Sequence, residues 1–367
     1  MEKNNISRSI EEKRNRKLHN NPSHPICMFK KHVQAYFSGY EIFDDLDEVV
    51  TVKDNFDDLL LPPDHPGRSM NDTYYLDNTH VLRSHTSAHQ NMLLKQGHTM
   101  FLATGDVYRK DTIDRTHYPV FHQMEGVKIL PEGSDALTDL MNTLGGLIEY
   151  LYPGKKYRFE DDYFPFTNPS IQVEVESEDG WMEVLGGGVI QPKILENCGV
   201  KGIGWAFGLG IDRLLMSYCD IPDIRYIWTD DVRFLSQFQQ GLTHFKVYSK
   251  YPPVQRDVSF WVNDFAENQE GLWVEHNNFC EIVRELGGDL IESVNVIDRF
   301  KKQDKVSLAY RIIYRSNDRT LLNEEINQIQ YGIRNQISNR FNVTLIYQNY
   351  FCIYNYFIFK TLTILQT

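Results

Sequence analysis

The chain has 367 residues, 41% of them hydrophobic and 24% charged, with a net charge of −12. That length holds two domains of ordinary size, and that balance describes a soluble globular protein. Five cysteines (Cys27, Cys198, Cys219, Cys280, Cys352) include no CxxC pair, which argues against a disulfide framework or a zinc knuckle and for a reducing compartment. An acidic total disfavours nucleic acid unless basic residues are clustered.

Residues 1–20 contain no apolar core segment, so they do not read as a secretory signal. They carry basic residues and two serines, but Glu2, Glu11 and Glu12 weaken a transit-peptide reading, and the segment is expected to be disordered. His24-Pro25 opens a helix over Ile26–Phe37, with Ile26, Phe29, Val33 and Phe37 on one stripe. Phe56–Arg68 is a proline-rich turn segment. Leu82–Lys95 reads as a loop entering a helix, with Thr86 or Ser87 as N-cap. His85 and His89 have the spacing of two helix ligands, but no HExxH glutamate lies between them, which favours substrate-site and structural roles over zinc.

Gly105–Gly126, GDVYRKDTIDRTHYPVFHQMEG, reads as strand, loop, strand. Arg109 closes the first strand. Alternation places Phe121, Gln123 and Glu125 on one sheet face. An arginine, an aromatic ring and a carboxylate on one concave face suit a nucleotide phosphate, a base and an ammonium group. Taken alone, the stretch reads equally well as an ordinary hairpin with a solvated arginine.

Asp135–Tyr152 is an amphipathic helix ended by Pro153-Gly154. Ile171–Val175, Trp181–Leu185 and Gly204–Gly208 read as strands, and Asp212–Cys219 as a helix stopping before Ile221-Pro222. The sum is α+β: an antiparallel sheet with flanking helices. Gly202, Gly204, Gly208 and Gly210 give a GxGxxxGxG string, a weak dinucleotide signal because no βαβ unit surrounds it. Residues 229–244 read as a linker.

From Phe245 the pattern restarts as strand, helix (Asn278–Leu286), strand (Leu290–Phe300), strand (Lys305–Tyr314), helix (Asn323–Asn339) and strand (Val343–Leu345), the βαββαβ order of a ferredoxin-like domain. Arg299–Arg319 holds seven basic residues against two acidic ones, a patch that is either a solvated surface or a nucleic-acid contact. Residues 346–367 are aromatic, β-prone and nearly uncharged. Gln348, Asn349, Asn355 and Lys360 interrupt them, which argues against a membrane-spanning helix and leaves a sticky extra strand or a product of imperfect gene prediction as the readings.

His85-Thr86-Ser87-Ala88-His89-Gln90, YPVFHQMEG (Tyr118–Gly126), YFPFTNPS (Tyr163–Ser170) and GWAFGLGIDRLLM (Gly204–Met216) together resemble the signature regions of a class II aminoacyl-tRNA synthetase. The match is to the single-chain, mitochondrial type of the phenylalanyl-tRNA synthetase family, over roughly Pro25–Leu345. YPPVQRDVSFWV (Tyr251–Val262) resembles the start of the ferredoxin-fold anticodon-binding domain that ends these enzymes. The resemblance implies a catalytic domain over 21–235, an anticodon-binding domain over 245–345, and extensions at 1–20 and 346–367. Relatives of the mitochondrial type often carry a longer insertion before the helix at Asp135; here that segment is short.

The implied activity is ATP-dependent activation of phenylalanine and its transfer to tRNA(Phe), in a monomer with no membrane segment, in the mitochondrial matrix or alternatively the cytoplasm. Carried over by motif, Arg109 holds the ATP α-phosphate and Arg213 stacks on adenine or grips the tail phosphates, with Phe121 on the other adenine face. Gln123, Glu125 and Ser87 take the ammonium, and His85, Gln90 and Arg109 lie near the carboxylate. Phe164, Phe166 and Ala206 form the ring slot. Ala88, His89, Thr116, His117, Tyr118 and Phe207 complete the adenylate site, and Glu183 contacts Mg2+ or the nucleotide. A noncatalytic relic that binds RNA is the contrasting reading; intact Arg109, Glu125 and Arg213 favour the enzyme.

Overall fold

The computed structural model describes residues 4–14, 16–177, 180–247, 251–302, 305–316 and 318–346. The aromatic tail from residue 347 lies outside them. The chain divides into two units, Met1–Lys250 and Tyr251–Thr367.

The first unit is built on a seven-stranded sheet in the order β1-β4-β5-β9-β8-β7-β6. Its strands are β1 (Glu41–Phe43), β4 (Met100–Tyr108), β5 (Val120–Leu130), β6 (Tyr157–Asp162), β7 (Thr167–Ser177), β8 (Gly180–Ile190) and β9 (Ile203–Gly210). Only the β1–β4 pairing is parallel. A two-stranded sheet pairs β2 (Val49–Thr51) with β3 (His80–Leu82).

One face of the large sheet is closed by α2 (Pro25–Tyr36), α5 (Ala136–Leu151) and α7 (Ile211–Cys219). Pro25 at the first helical position and the His24 ring accepting from the Ile26 amide start α2, and Ile26, Phe29, Val33 and Phe37 are buried as the stripe requires. The Asp135 carboxylate caps α5 by accepting from the Thr138 amide at 3.0 Å, and Leu140, Leu144, Leu147 and Ile148 pack inward. Trp205 and Phe207 of β9 point into this core with Leu102 and Met124. The other face is covered only in part. There α4 (Gln90–Lys95) and α6 (Pro192–Cys198) pack on Phe101, Ala103, Val127 and Ala206.

Three expectations change. Residues 4–14 and 16–20 are not a loose extension. They include a helical turn, α1 (Arg8–Glu11), the Ile10 and Leu18 side chains enter the core, and the Asn5 amide donates to the Met70 and Thr73 carbonyls. Two apolar residues spaced among charges leave no periodic signal, yet they suffice to dock the segment. The stretch 229–244 is not a linker either: it contains α8 (Val232–Leu235), and Phe234 and Phe238, with Phe245 just beyond, fill the same core. Finally, neither Thr86 nor Ser87 caps a helix. Thr86–His89 form a 3₁₀ turn ahead of α4, and the Thr86 amide is used by Gln123. The turn segment Phe56–Arg68 contains two 3₁₀ turns, Asp57–Leu59 and Pro66–Arg68, and α3 (Val52–Asn55) runs into it.

The second unit has β10 (Val254–Val262), α9 (His276–Gly287), β11 (Ile291–Lys302), β12 (Lys305–Tyr314), α10 (Asn323–Arg340) and β13 (Val343–Ile346), in the sheet order β11-β12-β10-β13. This is the expected ferredoxin-like arrangement, although β10 begins only at Val254. Strict alternation buries Val306, Leu308, Tyr310, Ile312 and Tyr314 of β12. Tyr310 anchors the helix layer, its ring 4.2 Å from that of Phe279 and its hydroxyl 3.1 Å from His276 Nδ1.

Candidate active site

The partly uncovered sheet face is a trough whose floor follows from strand register. Ala103, Glu125, Gly208, Gly186 and Gln172 lie in one cross-strand row over β4, β5, β9, β8 and β7. Gly105, Gln123 and Gly210 form the adjacent row. Phe121, Gln123, Gly186, Gly208 and Gly210 remain partly exposed. Two of these glycines are needed for close approach. A Cβ on Gly186 would sit 2.7 Å from the Phe164 ring, and one on Gly105 would sit 1.8 Å from an Arg83 nitrogen.

Glu125 lies at the closed end. It is 1% exposed, and neither carboxylate oxygen makes a hydrogen bond of normal geometry. Burial pushes its pKa up to about 8, with only the Ser87 hydroxyl acting the other way. The segment His85–Gln90, whose Ser87 reaches Glu125, carries further buried polar atoms without a hydrogen bond of normal geometry: both ring nitrogens of His85, Thr86 Oγ1 and Gln90 Oε1. Buried polar groups are normally paired, so this concentration marks a place where a polar ligand completes the set. Burial, then the charge of Arg109, lowers the His85 pKa to about 3, so the ring is neutral. Gln123 Oε1 already accepts from the Thr86 amide at 3.1 Å, which ties β5 to the loop carrying these groups and leaves Glu125 as the main anchor for a cation.

Arg109 follows β4 directly, and its amide closes the hairpin on the Pro119 carbonyl at 3.0 Å. Its side chain reaches solvent, but it lies deep among protein atoms in the trough. Partial desolvation therefore lowers its pKa, opposed by Asp111 and Glu183. Nε donates to the Ser84 carbonyl at 2.7 Å, and the guanidinium sits 5.4 Å from the Phe121 ring centroid. Ser84 is itself fixed by Asn55: its amide donates to Asn55 Oδ1 and its hydroxyl oxygen accepts from Asn55 Nδ2. Arg213, in the first turn of α7, has Nη2 3.4 Å from His117 Nε2. The Asp114 carboxylate, 2.7 Å from His117 Nδ1, raises the His117 pKa against burial. The guanidinium and the basic imidazole stand side by side in direct contact, a paired cationic surface suited to an anion. Thr116, next to His117, is exposed, and its hydroxyl donates to Asp114.

The aromatic wall is Phe164 and Phe166, stacked 5.7 Å apart at 17°. Phe166 packs on both apolar clusters of this face, the one that includes Ala206 and the one that includes Ala88, and stands 6.4 Å from His85. Glu183 is exposed opposite Glu174 in the β7–β8 register and within electrostatic reach of Arg109.

Two expected lining residues do not face the trough. Phe207 points to the helix-covered face, where it stacks on Phe37 at 5.4 Å, because it alternates with Ala206. Tyr118 turns into the core and stacks on Trp228 at 5.4 Å. His89 is a support rather than a lining group: its Nε2 accepts from Arg83 Nη1 at 2.8 Å, and burial and Arg83 hold its pKa at about 3. The reading of the sequence passed over Arg83, Asn55, Asp106, His122 and Asp212, all buried and polar. Their identity as neighbours of motif residues was visible, but their burial was not.

Residues 9–238 match the model of the tRNA synthetase class II core domain (F), and residues 249–345 match the ferredoxin-fold anticodon-binding domain. The chain is 48% identical to the phenylalanine–tRNA ligase, chloroplastic/mitochondrial, of Arabidopsis thaliana, over 93% of this chain and 82% of that protein. It is 40% identical to the mitochondrial phenylalanine–tRNA ligase of Dictyostelium discoideum, over 94% and 89% respectively. The corresponding mitochondrial enzyme of Mus musculus is 39% identical over 90% and 83%.

The buried acid has a thermodynamic signature. The native state holds a proton on Glu125 up to about pH 8, whereas an unfolded glutamate loses it near 4.5, so native stability falls as pH rises through that window. Glu125→Gln carries no such penalty. Its thermal midpoint should rise relative to the parent between pH 5 and pH 9, by about 2–4 °C for each kcal/mol relieved. Thermal unfolding of both proteins across that range is the measurement, and parallel curves would mean that Glu125 is not desolvated.

Proposed function

We propose a division of labour within the trough for a chain that belongs to the phenylalanine–tRNA ligases, class II tRNA synthetases ending in a ferredoxin-fold anticodon-binding domain. The chain is an aminoacyl-tRNA ligase: it activates phenylalanine with ATP and transfers it to tRNA. The observation carrying the site assignment is the buried Glu125, without a hydrogen bond of normal geometry, in the cross-strand row that runs through Gly208 to Gly186, over which the Phe164 ring of the Phe164/Phe166 pair lies: a counter-ion for an ammonium on the same sheet face as a slot for an aromatic ring.

In this reading the phenylalanine ammonium pairs with Glu125, helped by Ser87 and the remaining lone pair of Gln123. The ring enters between Phe166, Phe164 and Ala206, and the carboxylate lies toward His85, Gln90 and Arg109. ATP lies over Phe121, with its α-phosphate at Arg109 and its tail against the adjoining Arg213 and His117 side chains. A carboxylate oxygen of phenylalanine attacks the α-phosphorus, the bond to the β-phosphate breaks, and pyrophosphate leaves. Arg109 can bridge carboxylate and phosphate oxygens, aligning the attack and balancing charge that grows on the α-phosphate. A terminal ribose hydroxyl of tRNA then displaces AMP from the acyl carbon.

Glu183 offers an exposed hard oxygen near Arg109, and Glu174 lies across from it. That donor set suits Mg2+, which takes one or two carboxylates together with phosphates and water. Held there, the ion would neutralise charge on the leaving pyrophosphate.

The second unit carries the tRNA contact. Within Arg299–Arg319, Arg299 pairs with Glu267, Arg311 with Asp257, Arg315 with Glu292 and Arg319 with Glu325. Lys301, Lys302 and Lys305 are exposed and have no ion pair among the described residues, so the phosphate contact is assigned to this end of the β11–β12 hairpin. The protein works as a monomer in the mitochondrial matrix. The organelle is inferred from its relatives' names.

Arg109→Ala should lower phenylalanine-dependent pyrophosphate exchange by ~10²-fold or more in a protein that melts normally, as loss of a transition-state donor does. Near-parental exchange would remove Arg109 from the α-phosphate. Lys301→Glu with Lys302→Glu should leave that exchange intact, weaken tRNA aminoacylation, and lower the salt slope of tRNA binding by about one per lost phosphate contact. An unchanged slope would move the contact elsewhere. Ala206→Gly should enlarge the slot by about one methyl and shift the ratio of kcat/KM toward para-chlorophenylalanine over phenylalanine, on the order of tenfold. If that ratio does not move, Ala206 does not line the slot.

A further inference from the structure

We infer that Asp212 and His122 are positioning residues that aim Arg213 at the nucleotide, braced by a buried string of alternating carboxylates and imidazoles beneath the trough. The inference rests on Arg213 holding the ATP tail. His122 lies between Phe121 and Gln123 in β5, so alternation sends its ring to the opposite face, where it is fully buried. Its backbone amide donates to Asp212 Oδ2 at 2.6 Å, and its Nδ1 lies 3.0 and 3.1 Å from the two Asp212 oxygens. On the far side, His122 Nε2 is 3.3 Å from Asp106 Oδ1. The same Asp106 oxygen is 3.0 Å from His19 Nδ1, and His19 Nε2 is 3.0 Å from the Asp44 carbonyl. Trp228 stacks flat on His122 at 5.2 Å, and Tyr118, next in sequence to His117, stacks on Trp228.

The geometry explains what the string holds. Gly210 ends β9 and Ile211 begins α7 with no intervening loop, so the azimuth of the helix is set within its first turn. Asp212 and Arg213 are successive residues there, about 100° apart around the axis. Clamping the Asp212 carboxylate to the backbone and ring of His122 therefore fixes the direction in which Arg213 leaves the helix. The same clamp holds β5 at the position whose neighbours, Phe121 and Gln123, face the trough. One buried contact thus ties the adenine platform to the phosphate-gripping arginine. Burial opposes a charge on His122, yet Asp212 and Asp106 hold its pKa above the ordinary value, consistent with an imidazolium between two carboxylates. His19, Asp106 and His122 also have ligand atoms within 4.8 Å of one another, a spacing that zinc could use, so metal content is part of the test.

The experiment measures KM for ATP and for phenylalanine by pyrophosphate exchange in the full chain. Asp212→Asn should raise the ATP KM by about tenfold while leaving the phenylalanine KM within about twofold, and Asp212→Glu should recover part of the loss. In an Arg213→Ala background, Asp212→Asn should add less than about twofold, because its effect passes through the missing arginine. Should Asp212→Asn fail to fold, His122→Asn, which keeps a donor near the Nδ1 position, should retain ATP affinity that His122→Ala loses. Equal rises in both KM values, additive losses in the double variant, or one zinc per chain surviving dialysis would overturn the inference. An Arg213→Ala enzyme with unchanged ATP KM, by contrast, would overturn the nucleotide role of Arg213 itself.

Discussion

Everything at the site hangs on the pairing of β5 with β9, which sets Glu125 opposite Gly208 and Gln123 opposite Gly210. Side chains alternate along a strand, so a slip of one residue would drive Glu125 into the helix-covered core and bring Met124 or His122 into the trough. The apolar load of both strands prevents such a slip. Met124, Trp205, Phe207 and Leu209 can all be buried only in the observed register. Hydrophobic packing on one face thereby positions the chemistry on the other.

That division lets the two faces obey different rules. The helix-covered face is closely packed, and polar groups such as Trp205 Nε1, which donates to Asp139 at 2.7 Å, are tied into it. The trough face leaves the Glu125 carboxylate, the His85 ring nitrogens and Gln90 Oε1 without hydrogen bonds of normal geometry, at a cost in stability, and groups held in place beforehand lose little entropy when a ligand arrives. The supports are rigid where the lining is unsatisfied. Asn55 holds Ser84, which holds Arg109, and Arg83 reaches across Gly105 to His89 and to the backbone of Asp106. Glu125 and Arg109 also differ in surroundings: the acid is sealed and biased toward neutrality, whereas the arginine keeps access to water and to two acidic neighbours.

The second unit treats charge differently. Four of the arginines in its basic run are held by carboxylates, which makes them part of the domain's surface structure. Exposed ion pairs contribute little to stability, about 0–1 kcal/mol each, but they remove their arginines from competition for an anionic partner. The lysines near the β11–β12 turn keep their charge available. A cluster counted along the sequence is therefore less basic in space than it looks.

Much of this molecule was legible before any coordinates. Apolar periodicity marked α2 and α5, alternation marked β5, and the order of elements after Phe245 gave the ferredoxin-like domain, because these signals depend only on spacing along the chain. Arg109, Glu125 and Arg213 were singled out by the resemblance of their motifs to a known family, which spacing alone does not supply. Three things required the fold. Whether Tyr118 and Phe207 line the trough or fill the core depends on which sheet face they meet. Whether the N-terminal twenty residues and residues 229–244 are loose depends on a few apolar side chains finding a core built from distant segments. The Asp212–His122–Asp106–His19 string joins four positions far apart in sequence, and burial is what makes those ordinary polar residues consequential. Local sequence carries periodicity and chemistry; burial and long-range partners arise only when the chain closes on itself.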